Sequence, residues 1–166
     1  QRWSRRELVI VDSSPEPLQI AAREDIRVVT APPGAWVARK RNLALQEARG
    51  DVVTWFDDDD WQHPHKLEWL VEALLDGAPY AGSVGGWFVE VLTLYCTPYH
   101  GSRRHIVFNS AGFRREAVLP LRFQEDLRRS SDTRWMWELA AQYRNAAVVL
   151  PREVLFFWLC HAENLS

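Results

Sequence analysis

Residues 51–60 read Asp-Val-Val-Thr-Trp-Phe-Asp-Asp-Asp-Asp, an apolar run that ends in four consecutive aspartates. No other feature restricts the fold as strongly. The apolar half has the composition of a buried strand, and four carboxylates cannot follow it into a core. The strand must therefore stop at the edge of its sheet, where solvent or a ligand meets the acids. In an open α/β sheet the carboxyl ends of the strands are where ligands bind. Like charges this close raise one another's pKa and oppose folding. A divalent cation relieves that repulsion, and hard carboxylate oxygens suit Mg2+ or Mn2+ shared with substrate phosphates. The bland alternative is a solvated acidic loop in which Asp60 or a neighbour caps the next helix. A calcium-binding helix-loop-helix is excluded: position six of such a loop would be Gln62 instead of Gly, and Pro64 interrupts it.

The surrounding sequence alternates strand and helix. Glu7–Asp12 and Ile26–Thr30 have the β-branched, apolar character of buried strands, and a short helix is expected around Leu18–Ala22. Val37–Arg49 reads as a helix, with Gly50 just past its end. Pro64 suits the first turn of a second helix, whose Leu67, Leu70, Val71, Leu74 and Leu75 form one apolar stripe. Ser83–Tyr95 is expected to be a long strand or hairpin, and Ile106–Arg114 a further strand. Ser131–Tyr143 is expected to be a helix capped by Ser131 or Asp132, followed by strands at Ala147–Leu150 and Val154–Leu159. This order predicts an α/β fold with a mostly parallel sheet flanked by helices, in one domain over 1–166.

Composition narrows the function classes. The 166 residues carry a net charge of -2 and a pI near 6.2, which leaves no electrostatic footprint for nucleic acid. The longest apolar run, Val154–Cys160, is far too short for a transmembrane segment. Cys96 and Cys160 make neither a disulfide framework nor a zinc site, and are read as free thiols of a reducing cytoplasm.

Four segments together carry a resemblance: 7–14 (ELVIVDSS), 34–70 (from GAWVARKRN through WFDDDDW to KLEWL), 131–135 (SDTRW) and 158–166 (WLCHAENLS). They resemble family 2 of the GT-A glycosyltransferases, most closely over 34–70, where helix, glycine, strand and acidic motif come in the family's order. The resemblance implies a Rossmann-like GT-A fold and inverting transfer of a sugar from a nucleotide-sugar donor, of UDP, GDP or dTDP type, to an unidentified acceptor. It implies that Asp12 lies at the loop holding the nucleoside, with Ser13 where many members carry a second acid. It places Arg41, Asn42, Asp57 and Asp58 beside the donor, and Asp59 and His161 at a Mn2+ or Mg2+ ion within a DxD-type motif. Asp132 corresponds to the late acid that serves as base. The family's first strand and helix normally precede a segment like ELVIVD. Without them the sheet would have a gap, so a further stretch of about 25–40 N-terminal residues is expected.

Bland readings compete for each residue. Asp132 could be only a helix cap, and His161 only an edge histidine. Lys40 and Arg41 could be a solvated helix face, and His63 and His65 exposed loop residues. At the level of the whole chain, the rival is a catalytically silent nucleotide-sugar or carbohydrate-binding module.

Overall fold

The computed structural model describes residues 3–100, 106–144, 146–150 and 155–161. The chain opens with two parallel strands, β1 (Leu8–Asp12) and β2 (Ile26–Thr30), in register from Leu8–Ile26 to Asp12–Thr30. The stretch between them contains no helix. Asp12 takes the N–H groups of Ser14 and Leu18 on its two carboxylate oxygens, and Pro15 and Pro17 lie inside that loop. Five residues whose apolar side chains stay exposed cannot offset the cost of nucleating a helix.

Helix α1 (Val37–Glu47) buries Ala38, Arg41, Asn42 and Leu45, a spacing of one helical face, and packs against β1. It ends two residues earlier than the sequence suggested. Glu7 explains this, because its carboxylate accepts the N–H groups of Arg49 and Gly50 and draws the chain away from the helix. Then come β3 (Val52–Thr54), the acidic run, the short β4 (Trp61–Gln62) and α2 (Lys66–Leu74). The second half contains β5 (Tyr80–Gly82), the hairpin of β6 (Gly85–Glu90) and β7 (Cys96–His100), a 3-10 turn at Phe108–Ser110, and β8 (Gly112–Arg114). It closes with α3 (Arg115–Val118), α4 (Ser131–Gln142), β9 (Ala147–Val149) and β10 (Phe156–Cys160).

Among the described residues the strands form three sheets: β1-β2, β3-β8-β5-β9 and β4-β10-β6-β7. The α/β class is as expected. Parallel pairing is confined to β1 with β2, β5 with β9 and β6 with β10; β8, β4 and β7 run antiparallel to their neighbours. Both larger sheets are therefore mixed. β1 and β3 fall in separate sheets. No helix of the described residues is long and apolar enough to cross a membrane.

The main core is aromatic and sits directly beneath the acidic run. Trp55, two residues before Asp57, lies with its ring centroid 5.1 Å from Phe108, 5.4 Å from Phe113, and 5.5 Å from Phe123 and Trp135. Phe123 and Trp135 stack nearly flat, 4.7 Å apart at 7°. Ala38 and Leu45 of α1 and Leu139 of α4 close the cluster. A second, smaller cluster of Leu70, Leu74, Ala81, Leu155 and Phe156 lies between α2 and the sheets. There β8 approaches α2 so closely that a Cβ on Gly112 would stand 3.0 Å from Leu70 Cβ. Edge-to-face and offset aromatic contacts fix ring orientation as well as burying area. The residue that leads from β3 into the acidic run, Trp55, is thus held on several sides by packed rings.

Phe113 is fully buried and touches Trp55, Trp135, Phe108 and Tyr80. Replacing it with Ala should lower unfolding free energy by ~3–5 kcal/mol, measured by urea denaturation. A loss under ~1 kcal/mol would show that the cluster is not the core that holds the fold.

Candidate functional site

The acidic run folds as a tight turn between β3 and β4, with the Asp60 N–H on the Asp57 carbonyl at 3.4 Å. Asp57 and Asp60 are half-buried at the ends of the turn, while Asp58 and Asp59 are exposed at its tip. This separates the four carboxylates into two kinds. Asp57 is engaged by Arg41 of α1, whose guanidinium donates at 3.2 and 3.3 Å. Asp60 accepts the Leu159 N–H of β10 at 3.3 Å. Asn109, in the 3-10 turn before β8, donates to both, at 2.9 Å to Asp57 and 2.8 Å to Asp60. Asp60 therefore caps no helix; α2 starts six residues later, at Lys66. Burial pushes the Asp60 carboxyl up to about 6, helped by the charges of Asp57 and Asp59 and opposed by the bonds from Asn109 and Leu159.

Beneath the turn lies Lys66, fully buried. Its ammonium donates to the carbonyls of Trp55 at 3.1 Å and Asn109 at 2.7 Å and to the Gln62 side chain at 2.9 Å. It sits 4.5 Å from the centre of the Phe56 ring. Burial pulls this amine down to about 7, against the attraction of Asp57 and Asp60. Sequence patterning assigned neither Lys66 nor Asn109 a role. Lys66 opens α2 on the same buried face as Leu70 and Leu74, where a lysine is unexpected, and Asn109 belongs to a segment expected to be a strand.

A cavity of about 1180 Å³ opens over the turn. Asp57–Asp60, Lys40, Arg41, Asn109 and Asp132 supply its polar lining. Apolar lining comes from Leu8–Val11 of β1 and from Phe88, Tyr99 and Trp158 of the β4-β10-β6-β7 sheet. Asp132 reaches this cavity from the first turn of α4, one-third exposed, with one oxygen 4.0 Å from the Arg41 guanidinium. It is not the cap: that position is Ser130, held at a left-handed φ of 59° with no side-chain capping bond. Arg41 is nearly buried against Phe108, 4.5 Å from the ring centre, and stands between Asp57 and Asp132. It is a bridge between two carboxylates and not a solvated helix residue.

The remaining expected residues are more dispersed. Asp12 is buried at the end of β1, and its carboxylate is held below the usual range by the Ser14 hydroxyl and the N–H groups of Leu18 and Ser14. It shapes the loop after β1 by spending both oxygens on it. Asn42 is not brought to the cavity. Its amide brackets the backbone of Phe123, donating to the carbonyl and accepting the N–H at 2.9 Å each, and it lines a separate hollow with Arg39 and Arg122. His161 is exposed and follows β10 directly, two residues after the Leu159 N–H that is bonded to Asp60. His63 and His65 are half-buried: both stack on Trp69, and His65 contacts Glu68 at 2.6 Å.

Among the described residues no three His, Cys, Asp or Glu side chains converge as a preformed metal cluster. That donor set still fits Mg2+ or Mn2+, which commonly take one or two carboxylates and complete their shell with water and substrate phosphate. The exposed Asp58 and Asp59 offer such a pair.

The chain belongs to glycosyl transferase family 2, whose family model matches residues 1–119. No curated protein sequence matches it. Among solved structures, S. aureus TarS 1–349 superposes with a TM-score of 0.64 at 16% identity, over 92% of this chain and 51% of that one. The same protein in complex with UDP-GlcNAc gives 0.67 at 15% identity, over 95% and 50%. The chain therefore has the GT-A fold and spans about half the length of these structures.

Lys66 provides a check on the buried network. Its folded pKa, about 7, lies below the ordinary 10.5, so between these values the unfolded chain holds the extra proton. The stability of the protein relative to its Lys66→Met variant should rise as pH increases from 7 to 10, followed by denaturant titration. A flat or falling difference would show that Lys66 is not desolvated as described.

Proposed function

We propose that residues 1–166 act as a single GT-A domain that transfers a sugar from a nucleotide-sugar donor to an acceptor, inverting the anomeric centre. The observation that carries this reading is the joining of the acidic turn and Asp132 by one cation, Arg41, within one cavity. A transferase needs two opposed functions a few ångströms apart: a place for the leaving diphosphate and a base for the incoming hydroxyl. The turn offers the first and Asp132 the second. A uridine diphosphate donor is the first choice, because a fold relative was solved with UDP-GlcNAc and with UDP.

Asp58 and Asp59 would hold a Mn2+ or Mg2+ ion, with His161 close by at the end of β10. Such an ion, when bound, neutralises diphosphate charge. The chain's own residues do the rest. The acceptor hydroxyl attacks the anomeric carbon on the face opposite the diphosphate. A carboxylate oxygen of Asp132 takes the hydroxyl proton as the new C–O bond forms. The sugar–phosphate bond breaks and its electron pair leaves on the diphosphate. Arg41 stands 4.0 Å from Asp132 and orients it, and holds Asp57 back from the leaving group. Lys40, on the cavity wall, adds positive charge near the phosphates. Free thiols at the exposed Cys96 and at Cys160 fit work in the cytoplasm.

Donor turnover with Mn2+ separates the roles. Asp132→Asn should reduce kcat by roughly 10²- to 10⁴-fold while leaving UDP affinity nearly unchanged. Asp59→Asn should weaken Mn2+-dependent UDP binding instead. Tight UDP binding with no transfer or hydrolysis by the unmodified protein would replace the enzyme reading with a silent nucleotide-sugar-binding module.

A further inference from the structure

We propose that Asn109 is the positioning residue of the acidic turn: its side-chain amide clamps the two ends of residues 57–60 together, so that Asp58 and Asp59 are presented as a fixed pair. The proposal rests on the reading of the turn as the donor diphosphate and metal site, and deepens it by assigning the part that sets the site's shape.

An amide nitrogen carries two hydrogens in a fixed plane. Both hydrogens of Asn109 Nδ2 are spent on this turn, one on Asp57 at 2.9 Å and one on Asp60 at 2.8 Å. These are the first and last residues of a four-residue turn whose own backbone bond is long, 3.4 Å. The backbone alone therefore closes the turn weakly, while two carboxylates at its ends repel. A neutral donor between them turns that repulsion into two charge-assisted bonds. Asp57 is also gripped by Arg41, which donates to both its oxygens, and Asp60 takes the Leu159 N–H on its other oxygen. Each end is thus held from two directions, and only the middle pair is exposed.

Asn109 is itself well fixed. It is buried within the Phe108–Ser110 turn. Its carbonyl accepts from Lys66 at 2.7 Å, and the same ammonium bonds Trp55, just before the run, and Gln62, just after it. Lys66 therefore ties both flanks of the acidic run to the element that carries the clamp. Asn109 touches no exposed carboxylate of the tip, so its effect on a ligand passes through Asp57 and Asp60. Partners placed one step behind the ligands of a metal site typically alter metal affinity by ~10- to 100-fold when removed.

The test compares the unmodified protein with Asn109→Ala and Asn109→Gln in two measurements. The first is backbone hydrogen exchange without nucleotide or metal. In Asn109→Ala the Asp60 and Leu159 amides should exchange at least ~10-fold faster, with the amides of α4 unchanged. The second is calorimetric titration of UDP with and without Mn2+. Asn109→Ala should weaken Mn2+-dependent UDP affinity by ~10- to 100-fold and metal-free affinity much less, and Asn109→Gln, which keeps both donor hydrogens, should recover part of the loss. Should Asn109→Ala fail to fold, Asn109→Ser takes its place, with the same direction expected in both measurements. The proposal is overturned if the unmodified protein binds UDP with Mn2+ and the variants bind it equally well, or if exchange at Asp60 and Leu159 does not change. An unmodified protein that shows no Mn2+-dependent UDP binding overturns the donor reading itself.

Discussion

Four neighbouring carboxylates at the end of one strand repel, and a strand of three residues cannot hold them by itself. The structure meets this constraint by division. Asp57 and Asp60 are drawn inward, where Arg41, Asn109 and the Leu159 N–H satisfy them, and Asp58 and Asp59 remain outside. Each of those partners comes from a different element: α1, the 3-10 turn before β8, and β10. The acidic turn is therefore where the sheets and helices of the protein are tied together, and its shape depends on the fold around it.

That dependence runs through the aromatic core. Trp55 precedes the turn by two residues and is surrounded by Phe108, Phe113, Phe123 and Trp135. Phe108 also supports the face of Arg41, and Trp135 lies one turn beyond Asp132 on α4. One packed cluster thus sets the positions of the acidic turn, the arginine and the late aspartate together. Close-packed interiors transmit small displacements, so a change in this cluster shifts all three. Lys66 is the polar counterpart, a buried amine bonded to two carbonyls and a side-chain amide oxygen.

Much of this was legible in the sequence, for reasons that can be named. The strand of Leu8–Asp12 and the strand before the acidic run stand out as apolar runs, the helices beginning at Val37 and Ser131 by their apolar face or their flanking residues, and the structure has each of them. Asp57–Asp60, Arg41 and Asp132 were found through charge at a strand end and family motifs, and the structure brings them to one cavity. What was not legible depends on contacts distant in sequence. The short helix expected around Leu18 gave way to a loop held by Asp12, and Val37–Arg49 was cut short by Glu7. The resemblance implied that Asn42 lies beside the donor with Arg41, whereas its amide bonds the backbone of Phe123, 81 residues away. Asn109 and Lys66 lie 49 and 43 residues from their principal partners, Asp60 and the Asn109 carbonyl, and no local pattern marks them.

The proposed function requires the exposed pair at the tip of this turn to hold a divalent cation against a nucleoside diphosphate. Anomalous scattering from crystals soaked with UDP and Mn2+ tests it most directly. A manganese peak is expected within bonding distance of Asp59 or Asp58, on the cavity side of the turn, with the diphosphate completing its coordination. A diphosphate bound elsewhere in the protein, or bound at the turn by arginine and lysine alone with manganese absent at saturating concentration, would contradict it.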